Sequence, residues 1–463
     1  MAIKFGTDGW RAVIAEEYTF ENLRKISKAT AVAFENHPKI KNGIVLGYDT
    51  RFLSKEFAEC SAAVFANHGI KVYLTDSFVT TPTVSLLCRD KSLAYGVMIT
   101  SSHNPSKYNG FKLKDEFGGS MGTGHLSEIE KEIADVNFDY GGIPFDILVQ
   151  EGKIEYIRGR DYYIKTLRER IDTGIIRKSD LKIIYDGMYG SGQGMMDSLI
   201  SVKALRCEIN PSFGGSSPEP VMKNLGGIIN EMKNGNYDIG IVTDGDADRI
   251  AILNEKGEFV DAQKTFALLL TYMIEEKKMT GGVVRGFSSS ELIKKICDEY
   301  KLKLYTVPIG FKYISELMVK EDILIGAEES GGIGLKNHLP ERDGIFNGMM
   351  FCEMLAVKKK RLSELIEDVE KKYGKYYYRR IDQHLSSNDL KSELIEITKN
   401  LTQVGGMNVT SKDNLDGCKL IFEKGWVLVR ASGTEPLLRI YCETFEVDKT
   451  DLILNDIKKK FKL

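Results

Sequence analysis

The feature that most constrains the fold of this chain is a repeated order of elements: a short β-branched run, a polar loop, then a segment with amphipathic helical spacing. This order favours βαβ units with largely parallel strands over a β-sandwich or a helical bundle. The chain has 463 residues, which is enough for three or four domains with ample cores. The repeated segments are residues 42–51, 55–69, 70–76, 93–100, 181–194, 237–249, 281–296 and 322–332.

The last part of the chain has a different character. A long helical stretch over 349–374 is followed by a strand, a helix, a pair of strands within 418–445 and a closing helix. Strands joined by tight turns with few helices are typical of a small α+β domain, here packed as a lid. We therefore predict an α/β protein in which three similar α/β domains with mixed sheets surround a central cleft and a smaller C-terminal α+β domain follows. The predicted domains are 1–148, 149–255, 256–372 and 373–463.

Charge and composition exclude several function classes. The chain carries 64 Lys and Arg against 66 Asp and Glu, a net charge of -2, which gives no field to hold a nucleic acid or an anionic membrane. The longest clean apolar run, 266–274, is far below the roughly 20 residues that span a bilayer. The first residues lack a signal-peptide core, and the seven cysteines are scattered without a CxxC pair, so we expect a cytoplasmic protein with reduced thiols. Small molecules or protein are the expected partners.

Three predicted strands lead into polar loops of unusual sequence. These loops read "SSHNP" (101–105), "DGDADR" (244–249) and "EESGG" (328–332). In open α/β sheets, ligands bind beyond the carboxyl ends of the strands, which is where each loop would lie. We expect the three loops to face one cleft.

The "DGDADR" loop predicts a metal site. Asp244, Asp246 and Asp248 place three carboxylates on one side of a short turn, a set of oxygen ligands suited to Mg²⁺. An EF-hand is an alternative because Glu255 falls at the twelfth position, but Arg249 stands where that loop requires glycine. An acidic surface turn is the other alternative, and it is disfavoured because the carboxylates follow a buried strand.

The "SSHNP" loop permits two interpretations. Ser102 precedes an Asn-Pro turn, where a serine more often serves as a turn hydroxyl than as a nucleophile, and no GxSxG motif is present. Ser102 and His103 are neighbours, and on an extended segment their side chains would point to opposite sides. Lys112 follows a "YNG" segment that we interpret as a turn, from which its side chain would fold back toward Ser102.

Two further loops predict ligand contacts. "RASGTEP" (430–436) is suited to an anion, with the loop amides and hydroxyls flanked by two arginines, although a glycine-requiring hairpin loop is equally consistent. In "EESGG", the side chains of Glu328 and Ser330 suit sugar hydroxyls, or the segment is a helix start or a glycine turn. "FGTDGWR" (5–11) and "GYDTR" (47–51) each end in an arginine, which a structural salt bridge would also explain.

Taken together and in this order, the five motifs "FGTDGWR", "TSSHNP", "DGDADR", "EESGG" and "RASGTEP" resemble the α-D-phosphohexomutase family, which includes phosphoglucomutases and phosphomannomutases. The resemblance covers the whole chain and implies four domains around a central cleft. It implies that Ser102 carries a phosphoryl group and that this phosphate completes the ligands of a Mg²⁺ held by Asp244, Asp246 and Asp248. Phosphoryl transfer depends mainly on positioning and charge neutralisation, which this arrangement would provide.

The resemblance also implies roles for other residues. Arg11, His103 and Lys112 match positions near the serine that serve proton transfer in relatives. The expected substrate-binding residues are Arg249, Lys312, Glu328, Ser330, Arg430, Ser432, Gly433, Thr434 and Arg439.

The implied reaction interconverts a hexose 1-phosphate and a hexose 6-phosphate through a hexose 1,6-bisphosphate that turns end for end. Glucose is the first choice of sugar and mannose the second. A phosphoglucosamine mutase and a catalytically silent phosphosugar sensor are alternatives, and a serine hydrolase using Ser102 and His103 is disfavoured by the metal loop. The expected partner is a small phosphosugar, with no nucleic acid and no membrane, and the expected state is a monomer or a homodimer.

Overall fold

The computed structural model describes residues 3–6, 8–135, 142–385, 389–431 and 437–461. Within these ranges, three mixed sheets follow one another along the chain, and an antiparallel sheet with a two-stranded ribbon lies near the C-terminus. The predicted fold class, three α/β units followed by a smaller α+β unit, is confirmed.

The first sheet has the strand order β1-β5-β4-β2-β3-β6, in which β2, β3, β4 and β6 are parallel and β5 runs antiparallel to both of its neighbours, β4 and β1. Its strands are β1 (Trp10–Val13), β2 (Ile44–Tyr48), β3 (Val72–Thr75), β4 (Gly96–Ile99), β5 (Tyr108–Lys114) and β6 (Ile154–Ile157). The accompanying helices are α1 (Phe20–Ala33), α2 (Ser54–Asn67), α3 (Thr81–Asp90), α4 (Thr123–Asp135) and α5 (Phe145–Gln150).

The second sheet has the order β11-β10-β9-β7-β8. Its elements are α6 (Gly159–Arg170), α7 (Thr173–Lys178), β7 (Ile183–Asp186), β8 (Lys203–Leu205), α8 (Gly226–Asn234), β9 (Ile239–Thr243), β10 (Ile250–Leu253) and β11 (Phe259–Val260). Short 3₁₀ turns lie at Ile40–Asn42, Phe213–Gly215 and Met222–Asn224.

The third sheet has the order β13-β12-β14-β15. Its elements are α9 (Ala262–Glu275), β12 (Gly282–Gly286), α10 (Glu291–Tyr300), β13 (Leu304–Val307), α11 (Phe311–Lys320), β14 (Ile323–Ala327), β15 (Ile333–Leu335), α12 (Gly344–Lys358) and α13 (Leu362–Tyr373). Side chains with hydrogen-bonding oxygens begin many of these helices; Asp261 caps α9 and Asp343 caps α12.

The C-terminal sheet is antiparallel, in the order β16-β22-β21-β20-β19. Its elements, with the ribbon β17-β18, are β16 (Tyr377–His384), α14 (Asp389–Asn400), β17 (Gln403–Val404), β18 (Met407–Asn408), β19 (Ser411–Asp413), β20 (Cys418–Phe422), β21 (Gly425–Ala431), β22 (Leu437–Thr444) and α15 (Val447–Lys460). In the described part of the chain, no helix is both long and apolar enough to cross a membrane.

The three polar loops occupy equivalent places in the three mixed sheets. "SSHNP" joins the parallel strand β4 to the antiparallel β5, "DGDADR" joins β9 to β10, and "EESGG" joins β14 to β15. Each loop therefore follows the carboxyl end of a parallel strand and precedes a strand that turns back along it. The faint sequence similarity between "YGVMIT" and "IGIVTD" reflects this shared topology.

Two predicted domain boundaries fall inside sheets. Strand β6 pairs with β3, so the first sheet continues past residue 148, and β11 pairs with β10, so the second sheet continues past residue 255. The second and third sheets also share one apolar core, because Ile345 and Met349 of α12 join the same cluster as Ile241 of β9. The predicted boundaries follow changes in the sequence pattern, and such changes do not show that β6 and β11 pair with strands that precede the boundary.

The single helical stretch expected over 349–374 is two helices. Helix α12 ends at Lys358, and the next residue, Lys359, adopts a left-handed conformation with φ of 51°. Helix α13 then begins after Arg361, whose backbone N–H donates to Glu364 Oε2 at 2.8 Å. The amphipathic pattern continues across the break, which is why the sequence alone predicts one helix.

A buried lysine lies where the C-terminal sheet packs on the third sheet. Lys419 of β20 donates from Nζ to the carbonyl oxygen of Phe287 at 2.9 Å, and its Nζ lies 3.9 Å from the centroid of the Trp426 ring. In the described part of the chain, no carboxylate pairs with it. Burial, together with nearby Arg285, lowers the pKa of Lys419 to about 8.

This lysine predicts a pH dependence of stability. Between pH 8 and the ordinary value of 10.5, the folded chain loses the Lys419 proton while the unfolded chain keeps it, so folding stability rises with pH. We expect the free energy of unfolding of the native chain, relative to Lys419→Met, to be flat below pH 8 and to rise by up to about 3 kcal/mol above it. Denaturant titrations followed by Trp426 fluorescence measure the difference, with Lys424→Met at an exposed turn as the matched control. A difference independent of pH between 8 and 10.5 would contradict the prediction.

Candidate active site

Ser102 lies at the bottom of the loop between β4 and β5. Its side chain is buried, and its backbone adopts a left-handed conformation with φ of 52°. The backbone N–H donates to Thr100 Oγ1 at 2.9 Å, and Ser102 Oγ donates to Asp244 Oδ2 at 2.8 Å. The structure thus joins the serine loop of the first sheet to the acidic loop of the second through one direct hydrogen bond.

The position of His103 corrects one expectation. Because Ser102 is left-handed rather than extended, its side chain and that of His103 do not point to opposite sides, and His103 Nδ1 lies 3.4 Å from Ser102 Oγ. Burial, reinforced by Arg249, Arg11 and Lys112, holds the pKa of His103 well below its usual range. The imidazole is therefore neutral, with one ring nitrogen unprotonated.

The three aspartates form one buried cluster. Asp244, Asp246 and Asp248 each have a carboxylate oxygen within 4.8 Å of the others. Burial and the charges of Asp246 and Asp248 raise the pKa of Asp244 well above its usual value. At Asp244, the nearby positive charges of Arg249 and Lys112 therefore do not offset burial and the negative charges of the other two aspartates.

This cluster fits a magnesium ion. Asp246 Oδ1 and Asp248 Oδ1 are buried and accept no hydrogen bond from the described residues. Buried carboxylate oxygens without a donor are costly, and three carboxylates offer the hard oxygen ligands that Mg²⁺ prefers. The residues that would hold the ion are Asp244, Asp246 and Asp248, with Ser102 adjacent.

Lys112 neutralises the opposite side of the cluster. The "YNG" segment is part of strand β5 rather than a turn, and Lys112 points inward from that strand. Its Nζ lies 2.7 Å from Asp246 Oδ2, 3.0 Å from Asp248 Oδ2 and 2.8 Å from Asp8 Oδ2. Burial lowers the pKa of Lys112, but these carboxylates outweigh burial and raise it above the ordinary value, so the amine stays protonated.

Two residues that sequence reasoning missed complete this network. Arg342 Nη2 lies 2.6 Å from Asp8 Oδ2 and 2.7 Å from Asp248 Oδ2, which joins the first, second and third sheets. Asp8 stands in "FGTDGWR", three residues before the predicted site residue Arg11. Arg342 stands in "PERDG" and carries no signal in a single sequence, because its partners are remote along the chain.

Arg11 and Arg249 lie beside the serine and acidic loops. Arg11 Nη1 donates to Asn104 Oδ1 at 2.8 Å, which ties strand β1 to the serine loop. The backbone N–H of Arg249 donates to Asp244 Oδ1 at 3.1 Å, and its guanidinium lies 4.0 Å from Asp248 Oδ1. These contacts place Arg11 on the serine loop and Arg249 on the acidic loop.

Glu328 comes directly after β14 of the third sheet and lies near Arg342. Its Oε1 accepts the N–H of Gly310 at 3.0 Å, and its Oε2 lies 3.9 Å from Arg342 Nη1. Burial raises the pKa of Glu328 to about 7, against the lowering effect of Arg342. Ser330 is half-buried two residues further on. Arg342 thus connects the predicted sugar-binding carboxylate to a predicted metal ligand.

The expected phosphate loop is described only at its ends. Arg430 and Arg439 lie directly opposite each other on β21 and β22, an arrangement of like charges that an anion would stabilise. Arg430 Nε contacts both carboxylate oxygens of Asp416 at 2.9 Å, and Arg439 Nε lies 4.0 Å from Asp382 Oδ1. The other predicted members of this loop, Ser432, Gly433 and Thr434, lie outside the described residues.

Lys312 is not brought to the acidic cluster by any described contact. It is the second residue of helix α11, and its Nζ lies 5.1 Å from the centroid of the Tyr313 ring. It lines a cavity of about 280 Å³ between α11 and residues of the first domain that include His37 and His125. Burial lowers its pKa. In the described ranges, no hydrogen bond or ion pair joins it to another predicted site residue.

Comparison with protein-family models gives four matches in chain order. They are the alpha/beta/alpha domains I, II and III of phosphoglucomutase/phosphomannomutase, at residues 2–139, 161–257 and 261–373, and the C-terminal domain of the same family, at residues 356–460. The match therefore includes the segments that carry all five motifs.

Curated relatives match along nearly the whole chain. A phosphoglucomutase/phosphomannomutase from Thermococcus kodakarensis is 29% identical over 452 residues, which is 96% of this chain and 95% of the relative. A phosphoglucosamine/phosphogalactosamine mutase from Sulfurisphaera tokodaii is 30% identical over 469 residues and 98% of each chain. Among solved structures, a phosphomannomutase assigned as such only provisionally, from Thermus thermophilus, matches with a TM-score of 0.88 and 31% identity over 100% of both chains.

Proposed function

The chain belongs to the phosphoglucomutase/phosphomannomutase family and is a phosphohexomutase of the isomerase class, and on that premise we propose that it interconverts a hexose 1-phosphate and a hexose 6-phosphate through a phosphoserine at Ser102 and a hexose 1,6-bisphosphate. The observation that carries the proposal is the 2.8 Å hydrogen bond from Ser102 Oγ to Asp244 within a buried cluster of three aspartates. A hydroxyl held against a Mg²⁺ site is where a phosphoryl group would be carried.

The first transfer moves the phosphoryl group from Ser102 to the sugar. The bond between phosphorus and Ser102 Oγ breaks as a bond forms from phosphorus to the free hydroxyl of the sugar monophosphate. The hydroxyl proton leaves to a base, and the electron pair of the broken bond goes to Ser102 Oγ, which takes up a proton and becomes a hydroxyl again. Mg²⁺, when bound, neutralises charge on the transferring oxygens. Lys112, protonated beside Asp246 and Asp248, adds fixed positive charge to the cluster.

We assign the proton transfer to His103 rather than to Lys112 or Arg11. His103 Nδ1 lies 3.4 Å from Ser102 Oγ, and burial with the surrounding cations lowers its pKa and leaves one ring nitrogen unprotonated. A phosphate on Ser102 would offset these cations and raise the pKa toward the range of a general base. Lys112 is held protonated by its carboxylate partners, and Arg11 is committed to Asn104. The imidazole then passes this proton to Ser102 Oγ, and in the return transfer it takes the Ser102 proton and gives it to the leaving sugar oxygen, which closes the cycle.

The bisphosphate intermediate must present each of its phosphates to Ser102 in turn. A clamp remote from the serine would hold the other phosphate, and we propose Arg430 and Arg439 for this role, with Ser432, Gly433 and Thr434. Glu328 and Ser330 would bind sugar hydroxyls in both orientations, and Arg249 would lie beside the phosphate at Ser102. Lys312 is proposed as a further substrate contact.

Glucose phosphate is the proposed substrate, with mannose phosphate second. The "EES" and "GFK" loops support glucose, whereas the name of the Sulfurisphaera relative favours an amino sugar as the alternative. A monomer or a homodimer stays the expected state. The cytoplasmic location expected from the sequence stays a prediction.

A substrate panel tests this proposal. The native chain is assayed with Mg²⁺, a trace of the matching 1,6-bisphosphate and the 1-phosphates of glucose, mannose, glucosamine and galactosamine. We expect the highest kcat/KM for glucose 1-phosphate. A higher value for an amino sugar would replace glucose with the alternative, and binding without turnover of any sugar would favour the silent sensor.

A further inference from the structure

The arginine of the "GYDTR" motif holds the backbone of the serine loop. Arg51 follows strand β2 and is buried, and its guanidinium uses all five N–H groups. Nη2 donates to the carbonyl oxygens of Ser102 at 2.6 Å and Asn104 at 2.8 Å. Nη1 donates to those of Pro105 at 2.9 Å and Tyr108 at 3.1 Å, and Nε donates to Asp49 Oδ2 at 3.1 Å. Three carbonyl groups of the serine loop and that of Tyr108, the first residue of β5, therefore converge on one side chain.

Asp49 extends this network to the other side of the Ser102 peptide unit. Its carboxylate accepts from Arg51, from Ser54 Oγ at 2.7 Å and from Thr100 Oγ1 at 2.5 Å. Thr100 Oγ1 in turn accepts the N–H of Ser102 at 2.9 Å. The N–H and the carbonyl of Ser102 are thus both fixed through the Asp49–Arg51 pair, which holds the residue in its left-handed conformation.

The carbonyl of Ser102 is also the point where the serine loop meets the acidic loop. Gly245, between Asp244 and Asp246, packs so closely on this carbonyl that a Cβ atom at position 245 would overlap the oxygen. The ring of Phe213, from the second domain, covers the guanidinium of Arg51 with 4.8 Å between the ring centroid and Cζ. Arg51 therefore fixes the spacing between Ser102 and the three aspartates.

We propose that Arg51 is a positioning residue for phosphoryl transfer: it aims Ser102 at the acidic cluster by binding the loop backbone and touches neither substrate nor metal. This inference rests on the proposed function of Ser102. Lysine at position 51 would keep the charge, but three donors on one nitrogen do not reproduce a planar fork that binds four carbonyls. A reacting group displaced by about 1 Å loses about 10²-fold in rate.

The test compares Arg51→Lys with Arg206→Lys. Arg206 is a matched control because its guanidinium also forks onto a buried aspartate, Asp186, and binds a carbonyl, that of Asn224, away from the serine loop. For Arg51→Lys we expect kcat to fall about 100-fold, with KM for the sugar phosphate within twofold of the native value. We expect Arg206→Lys to lower Tm and to keep kcat within twofold.

Amide hydrogen exchange of residues 101–108 provides a readout that is independent of catalysis. Exchange at Asn104 and Tyr108, whose N–H groups bond within the loop, should accelerate in Arg51→Lys and stay native in Arg206→Lys. Faster exchange together with a lower kcat supports the inference. Native exchange, native kcat, or an equal kcat loss in Arg206→Lys overturns it. If the native chain converts no sugar phosphate, the proposed function fails, and native loop exchange in Arg51→Lys would show separately that Arg51 does not hold the loop.

Discussion

Replacement of Ser102 with alanine is expected to lower kcat by about 10⁴-fold or more, because the substitution removes the oxygen that carries the phosphoryl group. The folded structure should survive. Among the described side chains, Ser102 Oγ bonds only to Asp244 and approaches only His103, and a typical hydrogen bond contributes about 1 kcal/mol. The assay is the coupled conversion of glucose 1-phosphate to glucose 6-phosphate, with Tm measured on the same preparation.

The neighbouring serine is the matched control for this substitution. Ser101 is also fully buried, and its Oγ has no hydrogen-bond partner among the described residues. Ser101→Ala should keep kcat within about twofold, because no transferred group or described partner depends on that hydroxyl. Activity retained by Ser102→Ala, or an equal loss in Ser101→Ala, would be incompatible with a phosphoserine at position 102.

Disruption of the acidic cluster is the second large effect. Asp248→Asn keeps the shape of the side chain but removes one of the three charges that would hold Mg²⁺, and we expect kcat to fall about 10²- to 10³-fold. The Mg²⁺ concentration that gives half-maximal activity should rise at least about tenfold. A chelator should abolish the activity of the native chain, and added Mg²⁺ should restore it. The measurement is activity against Mg²⁺ concentration for both chains.

Asp186→Asn is the control for the loss of a buried carboxylate. Asp186 is buried and pairs with Arg206, outside the acidic cluster. The Asp186→Asn substitution should lower Tm without changing the Mg²⁺ concentration that gives half-maximal activity. In Asp248→Asn, Lys112 keeps Asp246 and Asp8 as partners, so the network retains counter-charges and the chain should fold. An unchanged half-saturating Mg²⁺ concentration in Asp248→Asn would contradict the assignment of the metal site.

The sequence predicts the parts of this fold and site that depend on local pattern. The strands that end at Ile99, Thr243 and Ala327 are short apolar runs followed by polar loops, and the structure places all three loops at the same position of their sheets. The three aspartates lie close together because alternate positions of one short loop bring them there. Local pattern is sufficient in these cases because each depends on a few consecutive residues.

The remaining features depend on contacts between distant segments. Strand β6 joins the first sheet only because it pairs with β3, and the sequence around residue 154 does not specify that partner. Lys112 reaches Asp246 from a strand rather than a turn because Gly110 and its neighbours pair with β1 and β4, which a "YNG" segment does not reveal. The "GYDTR" motif suggests the salt bridge between Arg51 and Asp49, but not the loop carbonyls that Arg51 binds, and Arg342 binds carboxylates that are remote along the chain.

The most direct test of the account is the phosphate on Ser102 itself. The native chain is phosphorylated with glucose 1,6-bisphosphate, freed of small molecules and mixed with glucose 6-phosphate and Mg²⁺, and intact mass and peptide mapping follow the phosphate. We predict one phosphate on the peptide that contains Ser102, lost on mixing with the sugar phosphate as an equal amount of glucose 1,6-bisphosphate forms. A chain that turns over substrate with no phosphate at Ser102, or a phosphate that never transfers to the sugar, would contradict the account.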